Sequence, residues 1–156
     1  MMRPMKLAGS QLMFGEGCLE YIKNLTYKRV IIVTGGSSME KSGILAQVAD
    51  YFESAGATVA YFSGVEADPS FATVYAGSNV MKEFQPDLIV GLGGGSVMDA
   101  AKTMWVYYEQ PNLHTIEDLL TASPFPILRK RAHFCGIPST AGTASEVSRS
   151  VVISDD

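Results

Sequence analysis

A single α/β domain built on a doubly wound, mostly parallel sheet is the fold this sequence predicts. Three observations carry the prediction. Short β-branched or aliphatic runs recur at Lys28–Thr34, Ala57–Gly64 and Asp87–Leu92. Between them lie stretches with apolar residues at helical spacing, long enough for crossover connections rather than hairpins. Glycine and serine punctuate the run ends, as expected where a strand gives way to a helix. Strand, helix and strand in that order close as right-handed crossovers, with helices on both faces of the sheet.

Element by element, Lys28–Thr34 ("KRVIIVT") reads as a buried strand followed by the turn Gly35–Ser38. From Met39 to Gly56, the residues Ile44, Leu45, Val48, Ala49 and Phe52 fall at helical spacing, and Gly56 supplies the stop. Ala57–Gly64 is the second strand. A second helix runs from Asp68 to Gln85, with Asp68 or Ser70 as N-cap, and breaks at Pro86. Asp87–Leu92 is the third strand and Ser96–Tyr108 the third helix. Past Pro111 the pattern loosens. "TIEDLLTA" predicts a short helix capped by Thr115, "SPFP" a proline-rich loop, and "HFCGIP" and "SRSVVIS" two further strands around "STAGTASEV". The last strand, "VISDD", stops without a helix to cover it, so further chain is expected after Asp156.

Composition narrows the class. The 156 residues are enough for one domain with a proper core, and neither a linker nor an internal repeat divides them. Hydrophobic residues make up 47% and charged residues 18%, a globular balance. The net charge is −4, and the longest basic run is "RKR" (Arg129–Arg131), read as a loop before a strand. Nucleic acid and anionic membrane are therefore not expected partners. Cys18 and Cys135 lie far apart in different contexts and read as free thiols of a reducing compartment. No segment reaches the ~18 apolar residues of a membrane span, and "MMRPMKLAGS" lacks an export core, so the cytoplasm is the expected location.

The chemistry sits in glycine-rich turns. In open parallel sheets, ligands bind beyond the carboxyl ends of the strands. Two such turns stand there, Gly35–Ser38 ("GGSS") and Gly91–Ser96 ("GLGGGS"), the second opening a helix. Glycines let backbone approach a ligand, and a helix start aims free N–H groups at it, which is the physical description of a phosphate site. The G-x-G-x-x-G fingerprint does not follow the first strand, and the P-loop "GK[ST]" is absent. Asp99 and Lys102 are three apart, either a solvated helix pair or a ligand-facing acid beside its base. In Pro138–Val147 the hydroxyls of Ser139, Thr140, Thr143 and Ser145 stand among small residues, either capping a turn or donating to a ligand.

"GGGSVMDAAK" (Gly93–Lys102) followed by "IPSTAGTASEV" (Ile137–Val147) resembles the iron-containing (group III) alcohol dehydrogenases. "FGEG" at Phe14–Gly17 and "GVEADPS" at Gly64–Ser70 fit the same family in order and spacing, so the likeness spans nearly the whole chain. The resemblance implies a Rossmann-like NAD(P)-binding domain over residues 1–156, the N-terminal half of a two-domain enzyme. Gly94, Gly95 and Ser96 would hold the cofactor pyrophosphate through backbone N–H groups, and Asp99 would sit near the nicotinamide. Ser139, Thr140 and Thr143 would contact the adenine side or the ribose. Gly35, Gly36, Ser37 and Ser38 would surround the 2′ position of the adenosine ribose. Asp68 stands where the family often has a binding Asn.

Such an enzyme would pass a hydride between a small alcohol or aldehyde and NADP or NAD, and a homo-oligomer is compatible with it. No catalytic set is complete in this chain. The family's metal, Fe²⁺ or Zn²⁺, is held by one Asp and three His in a helical second domain absent here. His114 and His133 are the two histidines, and both read as structural. The chain alone is therefore expected to be inactive; a stand-alone nucleotide-binding module is the alternative. Because the turn Gly35–Ser38 lacks the acid of NAD-specific members, NADP is expected to bind at least as well as NAD.

Overall fold

The computed structural model describes residues 3–7, 10–122, 124, 126–148 and 150–154. The chain opens with an antiparallel hairpin, β1 (Arg3–Leu7) and β2 (Ser10–Phe14), followed by a 3-10 helix at Cys18–Asn24. The main body then alternates: β3 (Arg29–Thr34), α1 (Ser38–Lys41), α2 (Ile44–Ser54), β4 (Thr58–Phe62), α3 (Phe71–Phe84), β5 (Leu88–Gly93), α4 (Gly95–Glu109), α5 (Ile116–Leu120) and β6 (His133–Pro138). Four parallel strands pair in the order β4-β3-β5-β6. After β4 the chain crosses back over β3 to lay down β5, which makes the β3/β5 boundary the point where strand order reverses. A crevice opens at such a point beyond the strand ends.

Burial explains why the central strands are uninterrupted apolar runs. Ile31, Val33 and Ile89 face α3 and α4, meeting Val74, Met81, Val97 and Met104. The alternate residues Val30, Ile32, Leu88 and Val90 face α2, meeting Val48, Ala49 and Phe52, with Ile22 of the 3-10 helix closing that side. A strand covered on both faces has no solvent side to make polar. Each fully buried Val or Ile contributes roughly 1.5–3 kcal/mol over the exposed side chain, so this pair of layers dominates stability. Helix α4 is buried at nearly every turn, from Val97 to Glu109, because sheet, α3 and the later loops surround it.

Three expectations need correction. The helix expected from Met39 to Gly56 is two helices, because Gly43 takes a left-handed φ of 78° and redirects the chain between Lys41 and Ile44. The third helix starts at Gly95 rather than Ser96, with Gly94 as N-cap. The segment "SRSVVIS" is not a strand. Arg149 lies outside the described residues, and the rest is irregular apart from one bridge between Ser154 and Ser70. Side-chain bonds, with two backbone bonds at Ser154, hold it instead of a ladder. Lys102 Nζ donates to the carbonyls of Ser148 and Ser150 at 3.2 and 2.8 Å, and Val152 N–H donates to Asp99 Oδ2 at 3.1 Å.

Other local readings match the structure. Ser70, not Asp68, is the N-cap of α3, accepting from Thr73 N–H, and Thr115 forms a full capping box with Asp118. Ser123 and Phe125 of the "SPFP" loop, and the last two residues of "VISDD", lie outside the described residues. The "RKR" loop is bound by a device that local sequence did not reveal. Glu109, at the end of α4, accepts the backbone N–H groups of Arg129, Lys130, Arg131 and Ala132 and the indole N–H of Trp105. One buried carboxylate thereby delivers the chain into β6.

Candidate nucleotide-binding cleft

Because the four strands are parallel, the turns after Thr34, Phe62, Gly93 and Pro138 all emerge at one edge of the sheet. They interlock there. Gly64 N–H donates to Gly35 O at 3.0 Å, and Val65 N–H to Thr34 O at 3.1 Å. Ser96 Oγ donates to Ala67 O, tying the Gly64–Ser70 loop to the start of α4. Ser139 N–H donates to Gly93 O at 2.8 Å, so the two motifs forty residues apart lie side by side.

The three successive glycines have different reasons. A Cβ on Gly93 would stand 2.8 Å from Val97 Cγ2, so packing under the turn excludes it. A Cβ on Gly95 would meet Thr143 at 3.1 Å and Ser145 Oγ at 3.4 Å, a tight fit against the hydroxyl loop. At Gly94 the nearest neighbour is Thr140 Oγ1 at 3.5 Å, ordinary contact, and the backbone is one any residue adopts. Only Gly94 is bare without a packing reason within the protein.

The helix start is open for an anion. The first intrahelical bond is Met98 N–H to Gly94 O, and no side chain caps the helix. Among the described residues, the N–H groups of Gly95, Ser96 and Val97 have no partner. A helix N-terminus carries the equivalent of about half a positive charge. No lysine or arginine stands in the four converging segments, so an anion would be held by N–H groups and hydroxyls rather than ion pairs.

The expected site residues are placed as follows. Gly94, Gly95 and Ser96 form the helix start, with Thr140 and Thr143 beside them and Ser139 at the end of β6, all three exposed. Gly35, Gly36, Ser37 and Ser38 form the neighbouring turn; a Cβ on Gly36 would meet nothing within 4 Å. A depression of about 260 Å³ lies there, between the ends of β3 and β4. Asp68 is exposed in the loop that Ser96 tethers, and none of the hydrogen bonds among the described residues involves it. Asp99 lies one turn into α4 and is buried. Its Oδ2 takes the Val152 N–H, and its Oδ1 stands 3.0 Å from Lys102 Nζ without hydrogen-bond alignment.

Two acids here were not singled out from the sequence. Glu66 accepts the Ser70 N–H at 2.7 Å and the Thr73 hydroxyl, and the Ser70 bond leads in lowering its carboxyl from 4.5 to about 2. It fixes the N-terminus of α3 and the loop beside the cleft. Glu40 lines the depression beside Gly36 and Ser37. A signal for Glu66 existed in the spacing from Glu66 to Ser70; for Glu40 there was none.

No group of three His, Cys, Asp or Glu that could hold a metal ion occurs among the described residues. His114 precedes the α5 cap, and the His133 ring packs against Tyr27. No described helix is long and apolar enough to cross a membrane. Cys18 and Cys135 are free, and burial pushes the Cys135 thiol up to about 11.

The family model for iron-containing alcohol dehydrogenases matches residues 9–156. The chain is 46% identical over 142 residues to an NADPH-dependent butanol dehydrogenase of Clostridium saccharobutylicum, covering 91% of this chain and 36% of that protein. It is 39% identical over 148 residues to an alcohol dehydrogenase of Thermococcus barophilus, covering 92% of this chain and 39% of that protein. Among solved structures, the iron-containing alcohol dehydrogenase of Thermococcus thioreducens superposes with a TM-score of 0.80 at 35% identity, covering 90% of this chain and 38% of that one. The chain thus spans little more than a third of the length of these relatives.

Proposed function

The chain belongs to the iron-containing alcohol dehydrogenase family, and we propose that it is the dinucleotide-binding part of an enzyme that moves a hydride between a small alcohol or aldehyde and NAD(P). The observation that carries the reading is the bare start of α4: three unpartnered N–H groups beside Gly94, under a loop of hydroxyls. Gly95, Ser96 and Val97 would hold the pyrophosphate through their N–H groups. Ser139, Thr140 and Thr143 would donate along the cofactor, and Gly35–Ser38 would surround the adenosine ribose. The bound nicotinamide supplies the redox chemistry. These residues bind and orient it.

The family's iron has no ligand set among the described residues, so no step runs through a metal held here. Turnover in our reading requires residues beyond this chain, and the 156 residues alone bind without oxidising alcohols. NADP should bind at least as well as NAD. Gly36 leaves open space, Ser37 and Ser38 can donate, and the relative from Clostridium saccharobutylicum is by name NADPH-dependent.

Titration calorimetry with NADP and NAD tests the reading. The chain should bind both, and Gly94→Val should weaken both about tenfold, or 1.4 kcal/mol, at a stability cost of no more than about 1 kcal/mol from the poorer N-cap residue. Gly94 is the chosen site because a side chain at Gly95 would press on Thr143 and confuse packing with binding. Gly36→Asp, placing a carboxylate in open space, should turn the preference to NAD. Absence of binding at about millimolar cofactor, a free energy near −4.1 kcal/mol, overturns the proposal.

A further inference from the structure

The depression between the ends of β3 and β4 is lined by Gly36, Ser37, Ser63 and Leu45, and also by Glu40. The carboxylate reaches it through local geometry: α1 is a single turn that starts after Ser37, and Glu40 on it lines the same depression as Gly36 and Ser37. Its sequence neighbour Lys41 does not line the depression, and neither does any other lysine or arginine. Glu40 is exposed and its carboxylate makes no hydrogen bond or ion pair among the described residues, so its negative charge faces the space left open by Gly36 without a protein counter-charge. The other polar groups there are hydroxyls and backbone.

We infer that Glu40 is a specificity-determining residue that holds down the affinity for a 2′-phosphorylated nucleotide and accepts a hydrogen bond from a 2′-hydroxyl. This inference rests on the nucleotide reading of the cleft and deepens it. Absence of an acid from the turn itself leaves NADP admissible. An acid one helical turn further on opposes the phosphate through space, and it is the balance of the two that sets the ratio. A charge at a wetted surface is screened over roughly 10 Å at 0.1 M salt, so the effect is moderate and salt-dependent.

The experiment compares the unmodified chain with Glu40→Gln and Glu40→Lys, titrating NADP and NAD at low and high salt, with Glu53→Gln as a control for net charge. Glu53 is exposed near the end of α2 and does not line the depression. Glu40→Gln should tighten NADP about three- to tenfold at low salt while NAD holds or weakens slightly, and Glu40→Lys should extend the shift. High salt should shrink the difference, and Glu53→Gln should leave the ratio alone. An unchanged NADP-to-NAD ratio in Glu40→Gln, with both nucleotides still bound, overturns the role of Glu40 but not the nucleotide site. Failure of the unmodified chain to bind either nucleotide overturns both.

Discussion

Two glycine-containing segments meet at the cleft, and the chain holds them by opposite means. Gly93–Val97 leaves a strand with no exposed residue and enters a helix buried on nearly every side. Ser139–Ser145 leaves β6 at the sheet edge, is exposed over most of its length, and is succeeded by irregular chain pinned by Asp99 and Lys102. The first is rigid because the core on both faces of β5 must move for it to move. The second rests on single hydrogen bonds, such as Ser139 N–H to Gly93 O, that open at small cost. In the proposed site a phosphate would meet fixed N–H groups on one side and a less firmly bonded hydroxyl loop on the other.

The contrast breaks most visibly at Glu109, which joins the two regions by anchoring the approach to β6. Burial works to raise its carboxyl, but the N–H groups of Lys130 and Ala132, the Trp105 indole and Arg131 N–H outweigh that and hold it below its ordinary value. Glu109→Ala strands those donors and should cost about 3–4 kcal/mol in urea unfolding. A loss below about 1 kcal/mol, within the range of a single ordinary hydrogen bond, would show that water replaces the carboxylate. Since the folded value is depressed, the stabilisation is present above the ordinary glutamate range and fades as pH falls through the lowered value.

Ser70→Ala tests the side of the cleft that the core supports. Losing the N-cap of α3 should cost about 1 kcal/mol by the same measurement. Its companion Glu66 gives a pH signature. With the carboxyl lowered from 4.5 to about 2, its stabilisation is complete above 4.5 and disappears as pH drops toward 2. Glu66→Gln should flatten that stretch of the stability curve, and a curve identical to that of the unmodified chain would remove Glu66 from the account.

The smallest global effect sharpens the comparison best. Ser148→Ala, which removes the hydroxyl that accepts the Ser150 N–H at 3.0 Å, should change unfolding free energy by no more than about 0.5 kcal/mol, yet speed amide exchange at Ser150 about tenfold. Exchange in β5 should stay unchanged. If β5 and the late segment accelerate together, the two regions form one cooperative unit and the proposed contrast fails.

Much of the frame was legible from local chemistry. The parallel strands announce themselves as apolar runs because both faces of the sheet are covered, and Ser70 and Thr115 cap their helices through bonds to residues three positions on. The glycine-rich start of α4 could likewise be read, since its free N–H groups follow from any uncapped helix start. The separate reasons for Gly93, Gly94 and Gly95 could not, because they depend on Val97, Thr140 and Thr143 packing against the turn. The late segment misled for a related reason: "SVVIS" has strand composition, but Asp99 and Lys102, rather than a neighbouring strand, take several of its N–H and C=O groups. The sequence by itself determined the strands, most caps and the bare helix start, all of which rest on residues within a few positions of one another. Tertiary structure alone decided what Asp99 and Glu109 face. A carboxylate's role depends on which donors and charges reach it, and most of these arrive from turns or elements that spacing along the chain does not place.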